Sequence, residues 1–159
     1  MNRRTNLLVF VVFAALLGCG GGSDNAAQAA ADTSANDGGL SAFELEHGIG
    51  PVKTPVELGE PDAALAAEGE ALFNLKCMAC HKLDERYIGP PLGNVLDRRT
   101  PTYVLNMMMN PTEMTQRHPE AKALLAEYLA PMPSQDLTVE EARALLEYLR
   151  LAANDGDAN

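Results

Sequence analysis

Residues 77–81 read Cys77-Met78-Ala79-Cys80-His81, which places two thiols three positions apart and an imidazole directly after the second. Each sulfur can add to one of the two vinyl groups of a porphyrin, and the neighbouring imidazole then lies beneath the iron as its proximal ligand. The stretch therefore predicts that one haem c is attached covalently through Cys77 and Cys80, with His81 bound to its iron.

Paired cysteines serve three other purposes, and each fits these residues less well. A structural zinc site needs four ligands, and the other candidates, Cys19, His47 and His118, are scattered through the chain. A thioredoxin-like redox pair opens a helix inside a βαβ unit, and no alternating apolar strand pattern lies beside Cys77. A structural disulfide in a secreted chain leaves the adjacent His81 unexplained. Haem attachment is therefore the favoured interpretation.

The amino terminus indicates where the protein works. Arg3 and Arg4 precede an apolar run over residues 7–17 that is too short to cross a bilayer comfortably, so residues 1–18 are predicted to be a signal peptide. The end of this segment resembles the bacterial lipobox, whose cysteine, here Cys19, is lipidated and becomes the first residue of the mature protein. The resemblance implies a lipid anchor on the periplasmic side of a bacterial membrane. The alternative is an ordinary signal peptide with an incidental cysteine.

The remaining chain divides by composition. Residues 19–39 contain no large apolar side chain, which predicts a flexible linker behind the lipid anchor. Apolar residues are interrupted by Gly and Pro over residues 40–61, so we expect an extended arm on the domain surface without a regular element. His47 is expected there as a solvent-facing loop residue. Residues 62–152 are predicted to form the folded domain, and residues 153–159 a disordered tail.

Only helices can be recognised within the folded domain. A first helix begins at Asp62 as its N-cap and runs into the haem motif, a second covers residues 102–110, and a third covers residues 119–129. The last helix begins at Thr138, where Glu141 three residues later completes a capping box. No run of β-branched residues offers a strand, so the prediction is an all-α fold of about four helices.

The domain resembles class I cytochromes c over about residues 64–151. In that family the first and last helices cross closely, with a glycine and an aromatic residue of the first helix against an aromatic residue of the last. These positions fall on Gly69, Phe73 and Tyr148. Glycine at such a crossing permits two backbones to approach closely. The resemblance implies the small class I cytochrome c fold, in which the helices surround one covalently bound haem.

A Gly-Pro pair shortly after the haem motif belongs to the same resemblance. In the family, the proline carbonyl accepts a hydrogen bond from the second ring nitrogen of the proximal histidine, which implies a contact between Pro90 and His81. Such a bond fixes the tautomer of the imidazole and makes it a better donor to iron. The alternative is that Gly89-Pro90-Pro91 forms only a turn.

The sixth iron ligand is expected to be a methionine. Met132 lies between two prolines, so its segment cannot become helical, and class I cytochromes c take their distal methionine from such a loop before the last helix. Met114 is the runner-up, and His118 would give a bis-histidine site, although an exposed or capping role is more common before a helix. Methionines 107–109 more often fill space on a helix packed over the porphyrin. His81 and Met132 are the predicted iron ligands.

A histidine and a methionine together raise the reduction potential and leave no open coordination site for a substrate. The pair therefore favours one-electron transfer. No carboxylate pair, nucleophile beside a base or phosphate-binding glycine loop stands out, so we do not expect an enzyme. Two other classes remain open. One is a haem-based gas sensor or peroxidase-like protein from which Met132 dissociates, and the other is a structural lipoprotein without a cofactor.

Charge narrows the choice of partner. The formal net charge is −10, and removal of residues 1–18 takes away two arginines and no acid. Nucleic acid is therefore not an expected partner, whereas redox proteins with basic docking surfaces are. Arg98 and Arg99 are candidate partners of the haem propionates, although such a pair also commonly faces solvent.

Three short patterns refine the resemblance. Residues 46–51, 98–101 and 110–111 are similar to those of small lipoprotein cytochromes associated with bacterial nitrous oxide reduction. This similarity implies a membrane-tethered electron carrier of a bacterial respiratory chain, delivering electrons to a periplasmic terminal reductase such as nitrous oxide reductase. The reductase chemistry itself would belong to that other protein, because no copper site is recognisable in this sequence.

Overall fold

The computed structural model describes residues 39–156, with side chains described as far as residue 153. These residues form seven helices and no strand: α1 (Ala42–His47), α2 (Ala63–Lys76), α3 (Val95–Arg98), α4 (Pro101–Met109), α5 (Pro111–Arg117), α6 (Pro119–Tyr128) and α7 (Val139–Gly156). The all-α prediction is confirmed, with more helices than expected. The predicted signal peptide, Cys19, the linker up to residue 38 and residues 157–159 lie outside the described residues. Within residues 39–156, no helix is long and apolar enough to span a membrane.

Helices α2 and α7 cross closely, as the resemblance implies. A Cβ atom built on Gly69 would overlap the carbonyl oxygen of Ala144 and would lie 2.8 Å from the Cβ of Tyr148. The rings of Phe73 and Tyr148 pack beside this point with their centroids 5.3 Å apart. Only glycine allows the two backbones to meet at this distance, so the crossing depends on Gly69.

Side-chain caps fix where α2 and α7 begin. The carboxylate of Asp62 accepts hydrogen bonds from the amides of Ala64 and Leu65, each at 3.0 Å. At α7, the Thr138 hydroxyl accepts from the Glu141 amide at 3.1 Å, while the Glu141 carboxylate accepts from the Thr138 amide at 2.9 Å. Both predicted caps are confirmed, since they satisfy amides that have no partner within the helix.

Prolines divide the middle of the domain into short helices. Pro101, Pro111 and Pro119 each lie in the first turn of a helix, where the missing N–H leaves no hydrogen bond unmade. Pro111 follows α4 and starts α5 in a segment for which no helix is predicted. The sequence signal is weak there because seven residues are too few to show a clear apolar period.

The main core lies between α2, α4 and α7. Its buried apolar side chains are Phe73, Val104, Leu105, Ala142, Leu145, Leu146 and Leu149. Burying a large apolar side chain contributes about 1.5–3 kcal/mol. Several of these residues also face the cavity described below, so the core and the candidate site share one wall.

The prediction that residues 40–61 contain no regular element is wrong, because α1 lies within them. Ser41 and Glu44 form a capping box, in which the Ser41 hydroxyl accepts from the Glu44 amide at 3.2 Å and the Glu44 carboxylate accepts from the Ser41 amide at 3.0 Å. The hydrogen bond from that amide lowers the pKa of the Glu44 carboxyl. Gly48, with a φ of 78°, ends the helix. The helix can form because its six residues contain no glycine or proline, and the glycines and prolines of the arm begin only at Gly48.

The rest of the arm is held against the domain by two buried side chains. The Asn106 amide donates to the carbonyls of His47 and Val52 at 3.0 Å, and its oxygen accepts from the Val52 amide at 2.9 Å. The sulfur of Met114 accepts from the Ile49 amide at 3.0 Å. Since Ile49 and Met114 are buried together, residues 40–52 pack as part of the domain.

Of the two histidines outside the haem motif, His118 is buried and His47 is half-buried. The Nδ1 of His47 lies 3.0 Å from the Thr100 hydroxyl, and the side chain is only 12% exposed. The Nε2 of His118 lies 3.1 Å from the Leu45 carbonyl, with the residue almost fully buried. The expectations of a solvent-facing His47 and of an exposed His118 are therefore wrong. His118 does occupy the N-cap position of α6, but its side chain makes no capping hydrogen bond there. The reason is that the arm, residues 40–52, packs against the helices of the domain. Short-range sequence patterns predict surface loops at these positions because they do not show this contact.

Helix α7 continues further than expected. It extends to Gly156, so residues 153–156 are helical where a disordered tail is predicted. Ala152 and Ala153 are strong helix formers, which explains the continuation beyond the predicted end of the domain at residue 152.

Candidate haem site

A cavity of about 200 Å³ lies beside the main core and brings together the haem motif, α4, α6 and the loop before α7. Its walls are largely apolar. All predicted site residues within the described part of the chain line it: Cys77, Cys80, His81, Pro90, Arg98, Arg99 and Met132. Residues up to 55 positions apart in the sequence thus line one cavity. The fold brings them together, which the local haem motif alone could not do.

The two cysteines lie where α2 ends. The turn is closed by hydrogen bonds from the amides of Cys80 and His81 to the Cys77 carbonyl, at 3.0 and 2.9 Å. Both thiols are free and face the cavity, so they do not form a disulfide with each other. Burial raises the pKa of the Cys77 thiol. In residues 39–153 no three His, Cys, Asp or Glu side chains come together as metal ligands, so the structure gives no support for the zinc alternative.

The imidazole of His81 is oriented by the backbone. Its Nδ1 lies 2.9 Å from the carbonyl oxygen of Pro90. Because a carbonyl can only accept, Nδ1 carries the hydrogen and Nε2 keeps its lone pair free. His81 is thus held in one tautomer, and its Nε2 is available to bind iron.

Gly89 makes room for this ring. A Cβ atom at this position would overlap the imidazole of His81, and the Gly89 amide donates to the Cys80 carbonyl at 2.7 Å. The segment therefore does more than reverse the chain direction, because a side chain at residue 89 would displace the imidazole.

Met132 lies in the irregular segment between α6 and α7 and lines the same cavity as His81. The segment, residues 129–138, contains Leu129 and Asp136, which are the non-glycine residues with positive φ, at 55° and 48°, in the described part of the chain. Lys76 and Gln135 both line the cavity, and the Lys76 ammonium donates to the Gln135 carbonyl at 3.1 Å. The neighbouring prolines, the hydrogen bonds between Ser134 and Asp136, and the bond from Lys76 together position the segment that carries Met132.

The other methionines take different places. Met107 and Met108 line the cavity from α4, whereas Met109 packs against the main core. Met114 is completely buried against the arm, where its sulfur already accepts the Ile49 amide, and it does not line the cavity. The arrangement therefore favours Met132 over Met114 as a ligand.

The two neighbouring arginines differ in their contacts. Arg98 donates to the backbone carbonyls of Asn94 and Pro91, at 3.3 and 3.0 Å. Arg99 pairs with the Glu120 carboxylate, and its guanidinium lies 5.4 Å from the centre of the Tyr103 ring. Both line the cavity, so both are placed to meet a bound anionic group, although Arg99 already has a carboxylate partner.

The family model for cytochrome c matches residues 66–152, which contain all seven of these site residues. This chain belongs to the cytochrome c family. Among curated relatives, the cytochrome c-551 of Stutzerimonas stutzeri is 32% identical over 87 residues, 54% of this chain and 78% of that protein. A cytochrome c2 of Rhodopseudomonas palustris is 49% identical over 37 residues, 23% of this chain. That match spans 32% of the cytochrome c2, so the chain covers about a third of its length.

Solved cytochromes c have the same fold. A cytochrome c from Rhodothermus marinus is 55% identical, with a TM-score of 0.67 over 70% of this chain and 97% of that one. An engineered form of the Rhodothermus marinus protein, bound to a carbene intermediate, is 55% identical, with a TM-score of 0.63 over 70% of this chain and 96% of that one. The class I cytochrome c fold is confirmed.

The residues of this cytochrome c fit the cofactor of its family. Two free thiols, an imidazole with an available Nε2 and a largely apolar cavity are what covalent haem attachment requires. The chain therefore carries haem c with its iron.

Tyr103 is a site residue that the sequence patterns miss. It lines the cavity from α4, is almost completely buried, and its hydroxyl has no hydrogen-bond partner among the described residues. Burial raises the pKa of this phenol, and the nearby Arg99 opposes the shift. Its aromatic character in a helix predicts only a core position, because no local pattern shows that a cavity lies beside it.

Proposed function

We propose that this cytochrome c is a one-electron carrier in a bacterial respiratory chain, in which His81 and Met132 would bind the haem iron. The observation that carries this proposal is the placement of the Pro90-bound imidazole and the Met132 thioether in one cavity. When bound, the haem iron supplies a single-electron couple between its ferrous and ferric states. The two ligands from the chain would leave no coordination site for a substrate.

Each residue of the site has a distinct task in this proposal. Cys77 and Cys80 hold the macrocycle through thioether bonds, and the Pro90 carbonyl keeps His81 in one tautomer. The apolar walls exclude water, which favours the less charged reduced state of the site. Arg98 and Arg99 are proposed to lie near the propionates, since both reach the cavity.

The sequence patterns support a proposed location and a proposed electron acceptor. We propose that residues 1–18 are a lipoprotein signal peptide and that a lipid on Cys19 tethers the protein to the periplasmic side of a membrane. Residues 46–51 support a terminal reductase such as nitrous oxide reductase as the electron acceptor. Normal nitrous oxide consumption by a strain lacking this protein would contradict that acceptor.

Spectroelectrochemistry of the haem-loaded protein tests the carrier function. We expect one reversible one-electron wave, and we expect Met132→Ala to lower its potential by on the order of 0.1 V, because loss of the thioether removes a ligand that favours ferrous iron. Met109→Ala is the matched control, since Met109 packs on the core outside the cavity. A potential unchanged in Met132→Ala, or no reversible wave in the parent protein, would contradict the proposal.

A second candidate function is a gas sensor or peroxidase-like activity with a labile distal ligand. It is favoured by the position of Met132, which lies partly exposed in a segment without regular structure. Rapid binding of carbon monoxide by the reduced parent protein would support this candidate. Binding only after Met132 is replaced would support the electron carrier.

A further inference from the structure

Three polar side chains form a stripe along one face of α4. Thr102, Asn106 and Asn110 recur every four residues, so they lie on the same side of the helix and of its C-cap. Thr102 and Asn106 are almost completely buried. Burial of polar groups costs free energy unless they are hydrogen-bonded, so the partners of these side chains matter to the fold. We call Thr102, Asn106 and Asn110 the polar stripe.

The backbone of residues 47–56 supplies the partners at both ends of the polar stripe. The Thr102 hydroxyl accepts a hydrogen bond from the Val56 amide at 2.8 Å. The side-chain amide of Asn110 donates to the Ile49 carbonyl at 3.1 Å. The segment therefore runs along the length of α4, and we call residues 47–56 the strap.

Asn106 makes the central contact between α4 and the strap. Its side-chain amide donates to the carbonyls of His47 and Val52, and its oxygen accepts from the Val52 amide. A Cβ atom built on Gly50 would overlap the Asn106 amide group and would lie 2.8 Å from its Cβ. The strap thus approaches the helix so closely that residue 50 has to be glycine.

The other side of α4 forms a wall of the haem cavity. Met107 and Met108 directly follow Asn106, Tyr103 and Val104 lie one turn earlier, and all four line the cavity. A helix shifts largely as a unit, so a displacement of the polar stripe would also displace these four side chains. Helix α4 therefore connects the strap to the cofactor site.

We propose that the strap fixes α4 against the haem and thereby helps to set the reduction potential of the iron, with Asn106 as the positioning residue. The inference rests on the proposed electron-carrier function. An apolar cavity that excludes water favours the less charged reduced state. When the strap is displaced, α4 loses its support, water reaches the cavity and the potential falls.

The test compares the haem-loaded parent protein with Gly50→Ala and Gly59→Ala. Neither glycine lines the cavity. The new methyl group at residue 50 presses on Asn106, whereas nothing lies within 4 Å of a Cβ at residue 59. Asp62→Ala is a second control, because it removes the N-cap of α2 and lowers stability without changing the strap. Spectroelectrochemistry with dissolved mediators measures the potential, and thermal unfolding measures the stability.

At a fixed electrode potential, Gly50→Ala should lower the ratio of ferrous to ferric protein by about threefold, which is about 30 mV for a one-electron couple. Gly59→Ala and Asp62→Ala should leave the ratio unchanged. Asn106→Ala removes the same contact from the helix side and should shift the ratio in the same direction. It takes the place of Gly50→Ala if that variant does not incorporate haem.

A second measurement reports on the position of α4 without reference to the potential. In the reduced protein with isotope-labelled methionine methyl groups, the NMR signals of Met107 and Met108 depend on their positions relative to the porphyrin. We expect both signals to move in Gly50→Ala, because α4 shifts, and to stay in place in Gly59→Ala and Asp62→Ala.

Three results would overturn the role of the strap. These are equal potentials in Gly50→Ala and Gly59→Ala, a shift of the same size in Asp62→Ala, and a shifted potential with unmoved signals of Met107 and Met108. Failure of the carrier function is distinguished by the parent protein. If it shows no reversible one-electron wave, the proposed function fails, and the methionine signals alone decide whether the strap positions α4.

Discussion

The two sides of the haem cavity are held in different ways. On the His81 side, hydrogen bonds run from Gly89 to the Cys80 carbonyl, from Leu92 to the Lys82 carbonyl, and from the His81 ring to Pro90, all at 2.7–2.9 Å. On the Met132 side, residues 129–138 have no regular structure and are positioned by prolines, by local hydrogen bonds around Ser134 and by the bond from Lys76 to the Gln135 carbonyl. The hydrogen bonds therefore fix the segment around His81. The segment that carries Met132 has no regular structure, so we expect Met132 to move more easily than His81.

The largest effect is expected from a change on the rigid side. Gly89→Ala should lower the free energy of unfolding by about 1–3 kcal/mol and reduce the fraction of protein with normal axial ligation, because the new methyl group overlaps the His81 ring. Gly59→Ala is the control, since nothing lies within 4 Å of a Cβ built there. Chemical denaturation and absorption spectra measure both quantities. Equal stability of the two variants would show that the His81 side is not rigid.

A smaller effect is expected from loosening the other side. Replacing Pro131 and Pro133 by glycine should lower the free energy of unfolding by about 1–2 kcal/mol, since each change adds freedom to the unfolded chain. It should also speed carbon monoxide binding to the reduced protein, because Met132 would leave the iron more often. Flash photolysis measures this rate. A rate equal to that of the parent would mean that the prolines do not position Met132.

The smallest effect is expected at the tether. Lys76→Met should remove the hydrogen bond to the Gln135 carbonyl and cost about 1 kcal/mol, with a modest rise in the carbon monoxide binding rate. Lys122→Met, at an exposed position on α6, serves as the control and should change neither quantity. If the two variants have the same stability and the same carbon monoxide binding rate, Lys76 does not help to position Met132.

Much of the rigid side can be predicted from sequence because its signals are local. The haem motif, the Gly89-Pro90 pair and the caps Asp62 and Thr138 each involve residues close together in the chain. Gly69 and Met132 required a family resemblance in addition, because their partners lie on distant elements.

What could not be predicted depends on contacts between distant segments. Asn106 binds residues more than 50 positions earlier, and the burial of His47 and His118 follows from the same arm packing. Short elements such as α1 and α5 are missed because six or seven residues show little periodicity. Tyr103 belongs to the site only because the fold opens a cavity beside it.

The most direct test of the axial ligands is an NMR spectrum of the reduced, haem-loaded protein with isotope-labelled methionine methyl groups. A methyl group bound above a porphyrin feels its ring current, so we predict one methionine signal far upfield of the other five that remain once residues 1–18 are removed. That signal should disappear in Met132→Ala and remain in Met109→Ala. An absent upfield signal, or one that survives in Met132→Ala, would contradict ligation of the iron by His81 and Met132.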